Sequence, residues 1–172
     1  MTTTWHDELR DAWRPSAIKL LLVGESAPDG GALSENRRFF SAPKVSRYDN
    51  LFRAVVEALY DVRVQTGSDR SPLLKRLRED GVFLIDLVPY PVNKLGGTER
   101  SAALRLFGPE RSDEIQRLAP AAIVICHTPT YRILAPELIR RDLPLLHREP
   151  IPFPLPNHRS EFVRRVRLAL GR

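Results

Sequence analysis

The chain has 172 residues, which is enough to bury a substantial core, and we predict one domain over residues 1–172. Hydrophobic residues make up 42% of the chain and charged residues 28%, a balance typical of a soluble globular protein. The net charge of +6 favours polyanionic partners through long-range attraction, without identifying one.

Cysteine usage and hydropathy indicate the compartment. The single cysteine, Cys126, excludes an intrachain disulfide and indicates a reducing compartment. No apolar run approaches the roughly 20 residues of a membrane span, and the acidic N-terminal stretch lacks the apolar centre of a signal peptide. We therefore expect a cytoplasmic protein with no membrane partner, and we expect it to be a monomer.

The stretch 18–31 is the part of the chain around which we expect the fold to be organised. Apolar residues at 18 and 20–23 lead into Gly24, which predicts a strand buried on both faces at the centre of a parallel sheet. Glu25 and Ser26 follow directly, at the position where open parallel sheets form their sites. The alternative is a simple turn in which Glu25 is solvated.

Helices and strands alternate along the rest of the chain. Apolar runs predict further strands over 82–87, 121–126 and 143–147. Apolar periodicity and capping residues predict helices over 5–13, 48–60, 71–80, 98–107, 111–118, 128–138 and 162–170. This alternation predicts an α/β protein with three αβα layers and a central, mainly parallel four-stranded sheet.

Three polar or proline-rich segments follow the predicted strands. They are Glu25 with Ser26, the segment 86–93 that begins at Asp86, and the segment 154–159. A long loop over 34–44 carries the adjacent aromatics Phe39 and Phe40 and is expected to fold over the same place. Because the carboxyl ends of parallel strands meet at one edge of a sheet, the sequence predicts a single crevice there.

Five motifs follow one another along the chain in an order that resembles a known family. They are GESAP at 24–28, Phe39-Phe40, LIDLVPYPVNK at 84–94, AAIVIC at 121–126 and PLPNHRSEFVRRVRLAL at 154–170. Their order and spacing resemble the uracil-DNA glycosylase superfamily over nearly the whole chain. The resemblance implies a uracil-DNA-glycosylase-like domain that flips a damaged or deaminated base out of DNA and hydrolyses its N-glycosidic bond.

The resemblance also implies roles for residues at the first two strand ends. Glu25 would position water or stabilise the oxocarbenium-like transition state, with Ser26 beside it in the first motif. Phe39 or Phe40 falls where the family stacks an aromatic ring on the extruded base. Asp86 falls at the asparagine that reads the edge of the base.

The late motif implies the remaining contacts. Asn157 or His158 would donate a hydrogen bond to the departing base. Arg159, Arg164 and Arg165 would contact DNA phosphates.

Two positions depart from the family pattern. Leu155 stands where the family's catalytic histidine is expected if the late motif is read in its usual register. Asp86 replaces asparagine, and an ionised carboxylate only accepts hydrogen bonds, so Asp86 suits a base edge that presents donors unless it keeps its proton. The iron–sulfur subgroup of the family needs several cysteines, so Cys126 alone predicts no such cluster, and we expect no metal or other cofactor.

These departures leave other functions open. One is a catalytically inactive member of the superfamily that binds DNA or a nucleotide. Another is a small ester hydrolase that uses Ser26, although no Asp-x-x-His pair follows late in the chain to activate the serine.

Each candidate residue also has a structural interpretation. Phe39 and Phe40 are often core or lid residues, and Asp86 fits a role as a cap of the following loop. His158 precedes a helix and the arginines beyond it suit a solvated face. His127, which follows an apolar strand, either lines the crevice or satisfies a loop.

Overall fold

The computed structural model describes residues 4–29 and 39–172, and these form an α/β fold. Six helices and three strands occur in this part of the chain. In chain order they are α1 (Trp5–Ala12), β1 (Leu20–Ser26), α2 (Asn50–Tyr60), α3 (Ser71–Glu79), β2 (Val82–Val88), α4 (Gly97–Leu118), β3 (Ile123–Ile125), α5 (Thr128–Arg140) and α6 (Arg159–Ala169). The predicted loop over 34–44 lies outside the described residues at positions 34–38.

The sheet is parallel, and β1 is its central strand, as the apolar run into Gly24 predicts. The strand order is β2-β1-β3, and Leu22 pairs with Leu84 on one side and with Val124 on the other. Residues 20–23 are all buried. The next two residues of β1, Gly24 and Glu25, therefore lie at the carboxyl edge of the sheet.

Helices cover both faces of this sheet. Leu20 and Leu22 pack into one hydrophobic cluster with buried side chains of α2, α3 and α6. Leu21 and Val23 lie on the opposite face and pack with buried side chains of α4 and α5. The alternation of side chains along β1 thus joins two helical layers to one sheet.

The fourth strand predicted over 143–147 is not formed among the described residues. Leu145 makes one isolated parallel bridge with Ile123. The Ile125 amide, two residues further along β3, donates to Nε2 of the His147 side chain at 3.0 Å. A side chain therefore takes the hydrogen bond that a longer fourth strand would supply, and a proline-rich segment follows.

The two helices predicted over 98–107 and 111–118 form a single helix, α4, that continues through Pro109. Proline removes one backbone donor from a helix, which normally favours a break. Here Leu104 and Ile115, on either side of Pro109, are buried in the same cluster against β2 and α5. The burial of apolar side chains on both sides stabilises the continuous helix.

The N-terminal helix α1 is fixed by a capping box. The Thr4 hydroxyl accepts a hydrogen bond from the Asp7 amide at 3.3 Å, and the Asp7 carboxylate accepts one from the Thr4 amide at 2.9 Å. This cap sets where α1 begins, and Arg10 lies in its last turn. None of the helices in the described ranges 4–29 and 39–172 is long and apolar enough to cross a lipid bilayer.

Candidate functional site

A cavity of about 450 Å³ lies at the carboxyl edge of the sheet, where the sequence predicts a crevice. Its lining includes the end of β1, the Leu84 and Asp86 side of β2, and His127, which follows β3. The predicted candidates that line it are Glu25, Ser26, Phe39, Phe40 and Asp86. Residues from the first, second and third motifs therefore meet at one cavity.

Glu25 is held in this cavity by an arginine and is not a solvated turn residue. Its side chain is 13% exposed, and both of its oxygens accept hydrogen bonds from Arg100 on α4. Nε of Arg100 lies 2.6 Å from Oε1 of Glu25, and Nη2 binds Oε2. The hydrogen bond to Glu25 raises the pKa of Arg100, so its guanidinium stays charged.

His127 completes the polar group around Glu25. Its Nε2 lies 3.9 Å from Oε1 of Glu25, and its Nδ1 lies 3.0 Å from the Thr130 hydroxyl. Burial lowers the pKa of His127, although the Glu25 carboxylate opposes the change. A neutral imidazole donates one hydrogen bond, and His127 lies in the lining of the cavity.

Asp86 lies within β2, beside Gly24 of β1, and not in the loop beyond the strand. Its side chain is 7% exposed, and its Oδ2 accepts a hydrogen bond of 2.9 Å from Nη2 of Arg10. Burial raises the pKa of Asp86, and the guanidinium groups of Arg10 and Arg111 oppose that rise. The carboxylate thus joins α1 to the cavity and does not cap the loop that follows.

Gly24 leaves room for this carboxylate. A Cβ atom added at position 24 would lie 2.5 Å from Oδ1 of Asp86, well inside van der Waals contact. Any other residue at this position would displace the Asp86 carboxylate. The structure therefore gives a steric reason for the glycine of the GESAP motif, which lies within β1.

Phe39 and Phe40 pack against other aromatic rings and also line the cavity. Phe39 packs edge-to-face against Trp5 and His6, with ring centroids 5.9 and 5.0 Å apart, and Phe40 packs in the same way on Phe52 at 5.4 Å. Both phenylalanines also line the cavity. They form a fixed aromatic wall.

A buried arginine holds this wall. Arg70 has a fully buried side chain and donates hydrogen bonds to the backbone carbonyls of Phe39 at 2.8 Å and Phe40 at 2.7 Å. It also binds the carbonyl of Lys44 and the carboxylate of Asp49. Burial lowers the pKa of Arg70, and Asp49 opposes the change, so the ion pair keeps the guanidinium in place.

The structure does not bring the late-motif candidates Asn157 and His158 to the cavity. Both are exposed, and Nδ2 of Asn157 lies 3.4 Å from Nε2 of His158. Phe153 and Leu155 from the same segment do line the cavity. Among the described histidines, His127 is the one that takes part in its lining.

The three arginines predicted to contact phosphate are paired within the protein. Arg159 donates to Glu57 with 2.7 Å between Nε and Oε2. Arg164 and Arg165 both bind the Glu161 carboxylate, the first with 2.9 Å between Nε and Oε2. A phosphate group would have to compete with these carboxylates.

Ser26 lines the cavity, but its hydroxyl is bound to the backbone. Its Oγ accepts a hydrogen bond from the Val92 amide at 3.3 Å. No hydrogen bond joins it to a histidine in the described part of the chain, and His127 is bound to Thr130 instead. Nor do residues 4–29 and 39–172 contain a cluster of three or more histidine, cysteine, aspartate or glutamate residues that would hold a metal ion.

Comparisons with protein-family models, with curated protein sequences and with solved structures found no match to this chain. The site is therefore defined by its own geometry: an aromatic-walled cavity with two buried carboxylates, each held by one arginine.

Proposed function

We propose that the protein binds a nucleobase extruded from DNA in this cavity and hydrolyses its N-glycosidic bond. One observation carries the proposal: a cavity of about 450 Å³ places the Glu25 carboxylate beside the Phe39-Phe40 wall. Aromatic side chains in the lining suit a base that has lost its stacking partners in the duplex. A carboxylate near the sugar suits a transition state with positive charge on the deoxyribose ring.

Hydrolysis requires three changes at the substrate. The C1′–N bond breaks and its electron pair leaves with the base, while the oxygen of a water molecule bonds to C1′. The base takes up one proton, which balances the proton that the water loses. In this mechanism Glu25 orients the water and stabilises the cation.

His127 is the donor that we assign to the departing base, in place of His158. It lies in the cavity wall within 3.9 Å of Glu25, whereas His158 is exposed and outside the lining. If the Thr130 hydroxyl donates to Nδ1, the proton of the neutral ring is on Nε2 and faces the cavity. A hydrogen bond from Nε2 would stabilise negative charge on the base as it leaves.

A second function, binding without catalysis, is favoured by the Glu25–Arg100 pair. Arg100 occupies both carboxylate oxygens of Glu25, so a water molecule has to compete with a bidentate guanidinium. A protein that only binds an extruded base or a nucleotide has no need to release this pair. Ester hydrolysis by Ser26 has no comparable support, because its hydroxyl is bound to the Val92 amide.

The first experiment is an excision assay on labelled oligonucleotides, single- and double-stranded, that each contain uracil, hypoxanthine, xanthine, an alkylated base or a mismatch. Alkali cleavage after incubation would reveal the abasic product. We expect cleavage at one lesion by the wild type, loss of cleavage in E25Q with retained binding, and unchanged cleavage in E149Q. Glu149 is the matched control because its side chain is 81% exposed and lies outside the cavity lining.

The other outcomes separate the candidates. Binding of the oligonucleotides with no cleavage by either protein would favour the binding function and contradict catalysis. Absence of both binding and cleavage would contradict both functions.

A further inference from the structure

The floor of the cavity carries one hydrogen-bond acceptor that the protein itself leaves unused. Oδ2 of Asp86 accepts a hydrogen bond from Arg10 at 2.9 Å. Oδ1 of the same carboxylate accepts none from any residue in the described part of the chain. Yet the Asp86 side chain is only 7% exposed, and the residue lines the cavity. Oδ1 is open to solvent from the cavity, so a ligand donor would replace water there and form a charge-assisted hydrogen bond.

The surrounding residues fix which oxygen is available. Arg10 also donates to Oδ1 of Asp7 at 3.1 Å, and Asp7 belongs to the capping box of α1. The guanidinium is thus held from two sides and keeps Oδ2 of Asp86 occupied. Gly24 lies next to Oδ1 and has no side chain. A Cβ atom at this position would lie 2.5 Å from Oδ1. The opening toward Oδ1 is therefore built into the sheet.

We propose that the ligand of this cavity is a nucleobase that presents an amino group to Oδ1 of Asp86. This inference rests on the proposed function and narrows its substrate class. Cytosine, adenine and guanine carry such a group, whereas uracil and hypoxanthine carry a carbonyl oxygen instead. Among lesions in DNA, it selects damaged bases that keep their amino group over the products of deamination.

The chemistry of the carboxylate explains the preference. An amino group projects from the ring and reaches an acceptor without bringing another acceptor toward it. The N3–H group of uracil lies between two carbonyl oxygens, which an ionised carboxylate repels. The ion pair with Arg10 is made by the ionised form, in which both oxygens are acceptors.

The test compares pairs of nucleosides in which a carbonyl oxygen replaces the amino group and the adjacent ring nitrogen gains a proton. Deoxycytidine and deoxyuridine, and likewise deoxyadenosine and deoxyinosine, would be titrated into ¹⁵N-labelled full-length protein up to millimolar concentration. Shifts of the backbone amides around the cavity would report binding, and the same spectra would show whether each variant is folded. A hydrogen bond to a charged group is worth about 1.5–3 kcal/mol, so we expect the wild type to bind the amino-bearing member at least about tenfold more tightly.

Two variants assign the preference to Asp86. D86N keeps the shape of the side chain but adds a donor, and we expect it to lose or reverse the preference. D113N makes the same change at an exposed carboxylate of α4 that pairs with Arg141, outside the cavity lining, and should keep the preference.

Three other results would contradict the inference, each at a different step. Equal or tighter binding of deoxyuridine by the wild type would overturn it and leave base binding itself intact. A preference that persists in D86N would show that Asp86 does not read the base. No shift at the cavity with any nucleoside or oligonucleotide would overturn both this inference and the proposed function.

Discussion

At the scale of single residues, the protonation of Asp86 controls what the cavity floor offers to a ligand. Burial raises the pKa of Asp86, and the nearby Glu25 carboxylate adds to the rise, while Arg10 and Arg111 oppose it. The thiol of Cys126 is buried in the adjoining hydrophobic cluster, and burial raises its pKa to about 12, so it stays neutral. Because Oδ2 is bound by Arg10, an added proton would be carried by Oδ1.

This arrangement predicts a pH-dependent choice of ligand. A raised pKa means that Asp86 takes up its proton at a higher pH than an exposed aspartate does. Above that pKa Oδ1 accepts hydrogen bonds and amino-bearing nucleosides should bind more tightly; below it Oδ1 donates and the preference should disappear. The ratio of the deoxycytidine and deoxyuridine dissociation constants, measured from pH 8 downward, checks this. We expect the wild-type ratio, deoxycytidine over deoxyuridine, to rise towards one on acidification. D86N, which does not titrate here, should give a flat ratio, and a wild-type ratio that stays flat or falls on acidification would contradict the prediction.

At the scale of elements, His147 links the stability of the sheet to pH. Nε2 of His147 accepts from the Ile125 amide of β3 at 3.0 Å, and Nδ1 donates to the Glu149 carbonyl at 2.7 Å. The neutral ring alone fits both partners. Burial lowers the pKa of His147, so the unfolded chain binds this proton more tightly than the folded protein does.

The difference between the His147 pKa in the folded and unfolded states sets how stability changes with pH. The contribution of His147 to stability is complete above the ordinary histidine pKa of about 6.5 and is lost as pH falls through the lower pKa of the folded state. We expect the free energy of unfolding, measured with urea, to decrease from pH 7.5 to pH 5. H147F should have a shallower slope and be less stable by about 1–3 kcal/mol at pH 7.5, because the Ile125 amide loses its acceptor.

A matched variant separates this effect from general acid sensitivity. H158Q removes an exposed histidine and should leave the slope unchanged. His127, whose pKa is also lowered by burial, contributes to the slope that remains in H147F. A slope that is the same in H147F and the wild type would show that the Ile125 hydrogen bond does not sense pH.

Elements with a strong local pattern were predictable from the sequence. The apolar run into Gly24 predicts a buried central strand, and β1 pairs on both sides with parallel strands. The predicted break near Pro109 is wrong, because buried side chains on both sides of the proline hold α4 together. The fourth strand is reduced to one bridge because the His147 side chain bonds the Ile125 amide, and no local pattern reports such a replacement.

At the scale of the whole molecule, the site depends on pairs that are distant in sequence. Arg100 binds Glu25 across 75 positions, and Arg10 binds Asp86 across 76. Sites in open parallel sheets lie at the carboxyl ends of the strands, so the predicted strands alone locate the two carboxylates. The positions of the strands do not predict which arginine binds each carboxylate, because that depends on how α1 and α4 pack on the sheet. Sequence reasoning therefore identified the acidic half of the site and missed its basic half.

Ion pairs within the protein also determine which arginines are available to bind DNA. The net charge of +6 is spread over many arginines, and those predicted from the late motif are bound to Glu57 and Glu161. Arg47 differs from them. It is exposed, its guanidinium lies 5.8 Å from the ring of Tyr48 at the cavity lining, and it forms no ion pair within the described ranges.

Arg47 should therefore contribute more to DNA binding than Arg164, although both are exposed arginines. A phosphate contact releases about one counterion, so R47A should weaken oligonucleotide binding and reduce the slope of log affinity against log salt by about one. R164A should change neither quantity, since Arg164 already shares the Glu161 carboxylate and a phosphate gains little by replacing it. Fluorescence anisotropy with one labelled oligonucleotide at several salt concentrations measures both quantities. Equal losses in the two variants would mean that net charge alone drives binding, whereas a loss in R164A only would place the DNA along α6, away from the cavity mouth.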